Sequence, residues 1–184
     1  IDFPRLMLRA KAVGAKQHRG LKEAIAHQAV SRTDLGGRLN TLVAPLANAV
    51  TAKPGSGLRN LMAKTVGIAS ERVLPPYARQ RFSSWFRKRR RSGVSEPRAV
   101  GRDQGSVVLF PTCIVEYQDT AIGQDLVKVF ERNGVTCSLP GGERCWGAPF
   151  LHEGDVDNFR KLADHNARLL AQAVRDAKAR GDDP

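Results

Sequence analysis

The apolar positions of this chain fall into two spacing regimes that meet near residue 106. In the first, apolar residues recur in short groups at helical spacing. Leu6, Leu8 and Val13 form a weak apolar face among Arg5, Arg9, Lys11 and Lys16. Leu21 to Val30 reads as a second helix. Asp34 is the expected N-cap of a third, which carries Leu35, Leu39, Leu42, Val43 and Leu46 and should be kinked or shortened by Pro45. After the loop Lys53-Pro-Gly-Ser-Gly57, Ser56 caps a helix through Leu58, Leu61, Met62 and Val66, and Gly67 stops it. Pro75-Pro76 then breaks the chain. There is no internal repeat and no coiled-coil length.

In the second regime the pattern alternates between strand and helix. Val107-Val-Leu-Phe110 is a continuous apolar run, as in a strand buried on both faces. Thr120 to Arg132 predicts an amphipathic helix with Ile122, Leu126, Val127 and Phe130 inward, ended by Asn133-Gly134. Val135 to Leu139 is a second short strand. A Gly- and Pro-containing loop runs from Pro140 to Gly154. Asp155 or Asp157 then caps a long helix through Phe159, Leu162, Leu169, Leu170 and Val174. This order makes the strands parallel with a right-handed crossover. The fold class is therefore α/β: a helical N-terminal segment followed by a β-α-β-α half-domain with parallel strands.

Charge sharpens the division. Residues 1–102 hold 21 Lys and Arg against 5 Asp and Glu, whereas residues 103–184 hold 9 against 13. Arg87-Lys-Arg-Arg-Arg91, followed by Ser, Gly and Pro, reads as the start of a mobile, solvated linker. Three segments result: 1–86, basic and helical; 87–105, the linker; and 106–184, the α/β segment. The start at Ile1 and the turn-like Lys178-Ala-Arg-Gly-Asp-Asp-Pro184 read as internal boundaries of a longer protein. Two parallel strands make no stable sheet alone, so another segment or chain is expected to complete it.

The candidate chemistry lies in three cysteines: Cys113, Cys137 and Cys145. An odd count without a secretory signal argues for reduced thiols rather than a disulfide framework. Ligands of open parallel sheets bind beyond the carboxyl ends of the strands. Cys113 follows the first strand and Cys145 lies in the loop leaving the second, so both are expected on one rim. Cys137 lies within the second strand and reads as a small core residue. His152, seven residues after Cys145, lacks the tight spacing of a zinc site and reads as solvated. Glu116 and Asp119 read as caps or solvated carboxylates. His165 is expected at the surface. His18 and His27 have no cysteine near them in sequence. There is no Walker loop and no nucleophile elbow, and no apolar run approaches the roughly 20 residues of a membrane span.

These residues resemble the cysteine-rich (CCG) domain family of iron–sulfur oxidoreductase subunits, which includes the B subunit of heterodisulfide reductase and the iron–sulfur subunit of glycolate oxidase. The C subunit of anaerobic glycerol-3-phosphate dehydrogenase is a further member. The matching stretches are Phe110-Pro-Thr-Cys113, Val115-Glu-Tyr117, Ile122-Gly123, Glu131-Arg-Asn-Gly134, Cys145-Trp-Gly-Ala-Pro149 and Gly154-Asp155. The resemblance implies that Cys113 is the first cysteine of the family pattern, Cys145 the first of its Cys-Cys-Gly, and Gly147 the glycine. Trp146 stands where the second cysteine of the pair would be, and indole cannot ligate a metal. The implied cofactor is an iron–sulfur cluster of the 4Fe-4S type, with Cys113 and Cys145 as metal ligands and Gly147 allowing close approach. The implied role is electron transfer with a redox protein such as a flavin-containing dehydrogenase subunit. A homo- or hetero-oligomer is expected, in the cytoplasm or peripheral at the inner face of the membrane. The alternative is a degenerate, non-redox interaction module that binds a protein or anionic partner through its basic helices. Nucleic acid is the less favoured partner, because Trp85 and Phe82 beside the Arg87–Arg91 run match no RNA-binding consensus.

Overall fold

A computed structural model describes residues 2–16, 20–93 and 105–179. His18, residues 94–104 of the expected linker and the turn expected after Ala179 lie outside the described residues. The chain divides into two compact units. One comprises the residues up to Arg79 together with Cys145–Ala163; the other comprises Gln80–Arg144 together with the residues from Asp164.

The first unit is helical. It contains α1 (Phe3–Ala15), α2 (Leu21–Ser31), α3 (Thr33–Leu42), α4 (Ala44–Thr51), α5 (Gly57–Val66), α9 (Ala148–His152) and the start of α10 (Val156–Ala179). Several boundaries follow local chemistry. Asp2 accepts the Arg5 amide to open α1, and Ser56 accepts the Arg59 amide to open α5. Gly67, at φ +77°, closes α5 in the left-handed conformation that a side chain would oppose. Pro45 splits the third expected helix, because it cannot donate within a helix and is tolerated only in the first turn, where α4 places it. Asp34 is not the N-cap of α3: Arg32 holds that position, and Asp34 lies in the first turn. Arg59 is fully buried, and its Nη2 donates to the carbonyls of Ala69 and Arg72, tying the segment after α5 to that helix.

The second unit carries the sheet. It contains α6 (Phe82–Arg91), β1 (Ser106–Val108), α7 (Cys113–Tyr117), α8 (Thr120–Arg132), β2 (Thr136–Ser138) and the remainder of α10. The strands are parallel, with Val107 opposite Cys137. The order strand, helix, strand agrees with the expected β-α-β-α arrangement, and the fold is α/β with a short two-stranded sheet. The short helices α7 and α9 add to the expected pattern. The core is Phe82, Phe86, Val127 and Cys137, with Trp85, Val107, Leu109, Val115, Phe130 and Leu139 packed against it. Burying each large apolar side chain there contributes about 1.5–3 kcal/mol.

Two expectations change. The Arg87–Arg91 run, expected as the start of a linker, is the helical end of α6, with Arg87, Lys88, Arg90 and Arg91 exposed and Arg89 turned inward. Phe82, Trp85, Phe86 and Arg89 fall at i, i+3, i+4 and i+7, so one face of that helix is the inward face of the core. Arg89 forms a forked ion pair with Glu131 at 2.5 and 2.6 Å, and its guanidinium lies 5.6 Å from the Trp85 ring centre. On α8, Val127 and Phe130 face the core, but Ile122 and Leu126 are 53% and 45% exposed. Gly123 faces inward instead. A Cβ there would stand 2.7 Å from the Phe82 ring and from Val115, so the absence of a side chain sets which face of α8 closes on the core.

Candidate cofactor-ligand residues

Cys113 opens α7 and is half-buried. The helix it opens is anchored through Glu116, which is buried and accepts from the Ser83 amide at 2.9 Å and the Ser83 hydroxyl at 2.6 Å. Arg81 lies 3.9 Å from the same carboxylate. Glu116 thereby satisfies an amide in the first turn of α6, as a capping carboxylate does.

Cys145 is 5% exposed. Its amide donates to Asp34 Oδ2 at 2.7 Å, across 111 residues of sequence and within the first unit. Asp34, expected as a helix cap, thus holds the backbone of a candidate ligand. No local pattern announces such a contact; the one available signal is an acidic residue in the first turn of a helix. Gly147 adopts φ +91°, and a Cβ there would lie 3.0 Å from the Phe159 ring and 3.5 Å from Leu162. The close approach that this glycine permits is to the start of α10. Trp146 is 47% exposed, so it is no core aromatic. Just before Cys145, in the second unit, Asn166 holds Arg144 through reciprocal bonds of 3.1 Å to its amide and carbonyl, and His165 bonds to Gly142 O at 2.9 Å. His152 is exposed, and its carbonyl accepts from Lys11 Nζ.

Cys137 is buried in the core, as its strand position predicts. Burial pushes its thiol up to about 11, helped by the Glu131 carboxylate and opposed by Arg89. It is a protonated thiol near neutral pH and a poor ligand. No disulfide joins the cysteines. Cys113 belongs to the second unit, and Cys145 and Gly147 to the first.

An iron–sulfur cluster takes four thiolates as a rule. These 184 residues contain three cysteines, and one of them is committed to the core. Among the described residues no group of three or more His, Cys, Asp and Glu side chains could hold a metal ion. The donor set therefore does not fit a complete cluster, and Cys113 and Cys145 are at most part of one. No helix among the described residues is long and apolar enough to cross a membrane.

The chain is 34% identical over 146 residues to the C subunit of anaerobic glycerol-3-phosphate dehydrogenase of Escherichia coli, a match that covers 79% of this chain and 34% of that protein. A match of that length reaches well into the helical first half. Over 73 residues it is 33% identical to the B subunit of fumarate reductase (CoM/CoB) of Methanothermobacter marburgensis, covering 39% of this chain and 15% of that one. It is 32% identical over 68 residues to lactate utilization protein A of Shouchella clausii, covering 37% and 28%. The chain thus spans about a third of the length of the first of these relatives and less of the others. No solved structure matches it. Residues 107–179, which contain Cys113 and Cys145, match the cysteine-rich domain family, and this segment of the chain belongs to it.

Proposed function

We propose that this chain is part of an iron–sulfur subunit of an oxidoreductase, acting in electron transfer. The observation that carries the reading is the likeness to the C subunit of anaerobic glycerol-3-phosphate dehydrogenase, which spans 79% of the chain and extends beyond the cysteine-rich segment itself. In this reading Cys113 and Cys145 each supply one thiolate of a 4Fe-4S cluster, and Gly147 leaves the backbone beside Cys145 bare. The remaining ligands come from cysteines outside these residues, in another segment or a partner subunit. The partner is a redox protein such as a flavin-containing dehydrogenase subunit, in the cytoplasm or at the inner face of the membrane.

The test is anaerobic purification of the protein from its own host, with iron, acid-labile sulfide and electron paramagnetic resonance measured on the reduced sample. Iron and sulfide in equal amounts are expected, lost in Cys113→Ser and in Cys145→Ser and raised in Trp146→Cys. Iron content indifferent to both serine substitutions would refute the assignment of these ligands. A complex free of iron and sulfide would favour the other reading, a non-redox interaction module. That reading draws support from Trp146 at the second cysteine position of the family pattern and from the exposed Arg87, Lys88, Arg90 and Arg91 on α6.

A further inference from the structure

A cavity of about 740 Å³ opens within the first unit, between α1, α2 and the turn from α9 into α10. Small-molecule sites occupy roughly 300–1,000 Å³. The walls are joined by close contact rather than by chance proximity. A Cβ on Gly154, at φ +79°, would stand 2.3 Å from the Lys11 carbonyl oxygen, so only a glycine lets the α1 backbone lie on this turn. Lys11 Nζ also donates to His152 O at 2.9 Å.

The lining has two characters. Leu8, Ala12, Ala24 and Leu151 give an apolar surface. Arg5, Arg9, Lys16 and Arg160 surround it, and all four are exposed. None of these cations forms an ion pair among the described residues. Opposing them are Asp155 and Asp157, and Asp155 is already occupied, accepting from the amide and the side chain of Asn158. Four cations against two carboxylates leave an excess of two positive charges. His27 is a separate pointer. It lines the cavity at 8% exposure, and its Nε2 has no hydrogen-bond partner; Asp155 Oδ2 is 3.7 Å away. A buried, unpartnered ring nitrogen is destabilising unless a ligand or water satisfies it.

We propose that this cavity binds a small organic dianion, a phosphate monoester or dicarboxylate with an apolar body. Two negative charges neutralise the excess, the arginine forks bond such oxygens in pairs, and the apolar body lies on Leu8, Ala12 and Leu151. The site involves none of the cysteines, so it stands or falls independently of the electron-transfer reading.

Calorimetric titration of the whole chain with phenyl phosphate and with phthalate tests it, and the two arms separate the phosphate from the carboxylate chemistry. Benzyl alcohol serves as the neutral control. At low salt at least one dianion is expected to bind with a dissociation constant of about 1 mM or tighter, more weakly as salt rises, while benzyl alcohol does not bind. The double variant Arg9→Gln/Arg160→Gln should weaken binding at least about tenfold with its urea midpoint unchanged. Should that variant fail to fold, Arg5→Gln/Lys16→Gln removes two other exposed cations of the same site and should act alike. Amide resonances of Ala12, Ala24 and Gly154 should shift on titration. The proposal is overturned if neither dianion binds, if benzyl alcohol binds equally well, or if loss of the cations leaves affinity unchanged.

Discussion

Removing the carboxylate of Asp34 should loosen Cys145 without touching any cysteine. In Asp34→Ala the Cys145 amide, in a residue 5% exposed, loses its 2.7 Å acceptor. A hydrogen bond to a charged group contributes about 1.5–3 kcal/mol, and a buried donor left unsatisfied cannot recover this from water. Asp34 also lies in the first turn of α3, where a negative charge stabilises the helix by a further 0.3–1 kcal/mol or so. The expected loss for Asp34→Ala is therefore about 2–4 kcal/mol. Asp34→Asn keeps a neutral acceptor and should lose about 1 kcal/mol, since charge-assisted bonds are roughly twice as strong as neutral ones. Urea denaturation reads the global effect. The local effect is read by alkylating the native protein and following the Cys145 peptide by mass spectrometry. If opening is fast relative to labelling, losing 1.5–3 kcal/mol of local stability raises the labelling rate about 10- to 150-fold. Cys137, in the other unit, serves as the internal reference. A change below about 0.5 kcal/mol in Asp34→Ala, with Cys145 labelling unaltered, would mean that the bond does not hold the loop, and the reasoning would fail.

Three further substitutions probe the packing. Gly154→Ala places a Cβ against the Lys11 backbone at a positive φ, and should cost at least about 2 kcal/mol, read as a lower urea midpoint. Arg89 and Glu131 form a pair only 9% and 15% exposed, so Arg89→Met alone should cost about 3–5 kcal/mol. Arg89→Met/Glu131→Leu should recover most of that loss, and equal losses in the single and double variants would refute the pairing. The Cys137 thiol, raised from 9.0 to about 11 by burial, stays protonated longer in the fold than in the unfolded chain. Its stabilising effect is complete below pH 9 and is lost as pH rises through 11, so the fall in stability over that interval should be smaller in Cys137→Ala.

Much of the architecture was legible one segment at a time. Thr120–Arg132 is helical over the residues its pattern predicts, and Ser56 and Gly67 bound α5 as expected. Both parallel strands form where expected, β2 within Val135–Leu139 and β1 shifted to Ser106–Val108, one residue ahead of its apolar run, and the side chain of Asp155 bonds the Asn158 amide at the start of α10. Each follows from periodicity and capping, which act over one to four residues and are written in neighbouring positions. The family pattern around Cys113 and Cys145 was legible for the same reason, and the incompleteness of the ligand set follows from counting cysteines.

Facing and pairing were not legible, because they depend on residues far apart in sequence. Arg87–Arg91 reads as the start of a linker until Phe82, Trp85 and Phe86 bury one side of a helix that continues through it and Glu131 claims Arg89. Ile122 and Leu126 read as core until Gly123 lets α8 close on Phe82 through its bare side, turning them outward. Asp34 reads as a cap until the chain returns 111 residues later with a buried amide to satisfy. Local order along the chain thus decides where helices and strands begin and end. Which side of each is buried, and which charge meets which partner, is decided only when distant segments compete for the same volume and the same hydrogen bonds.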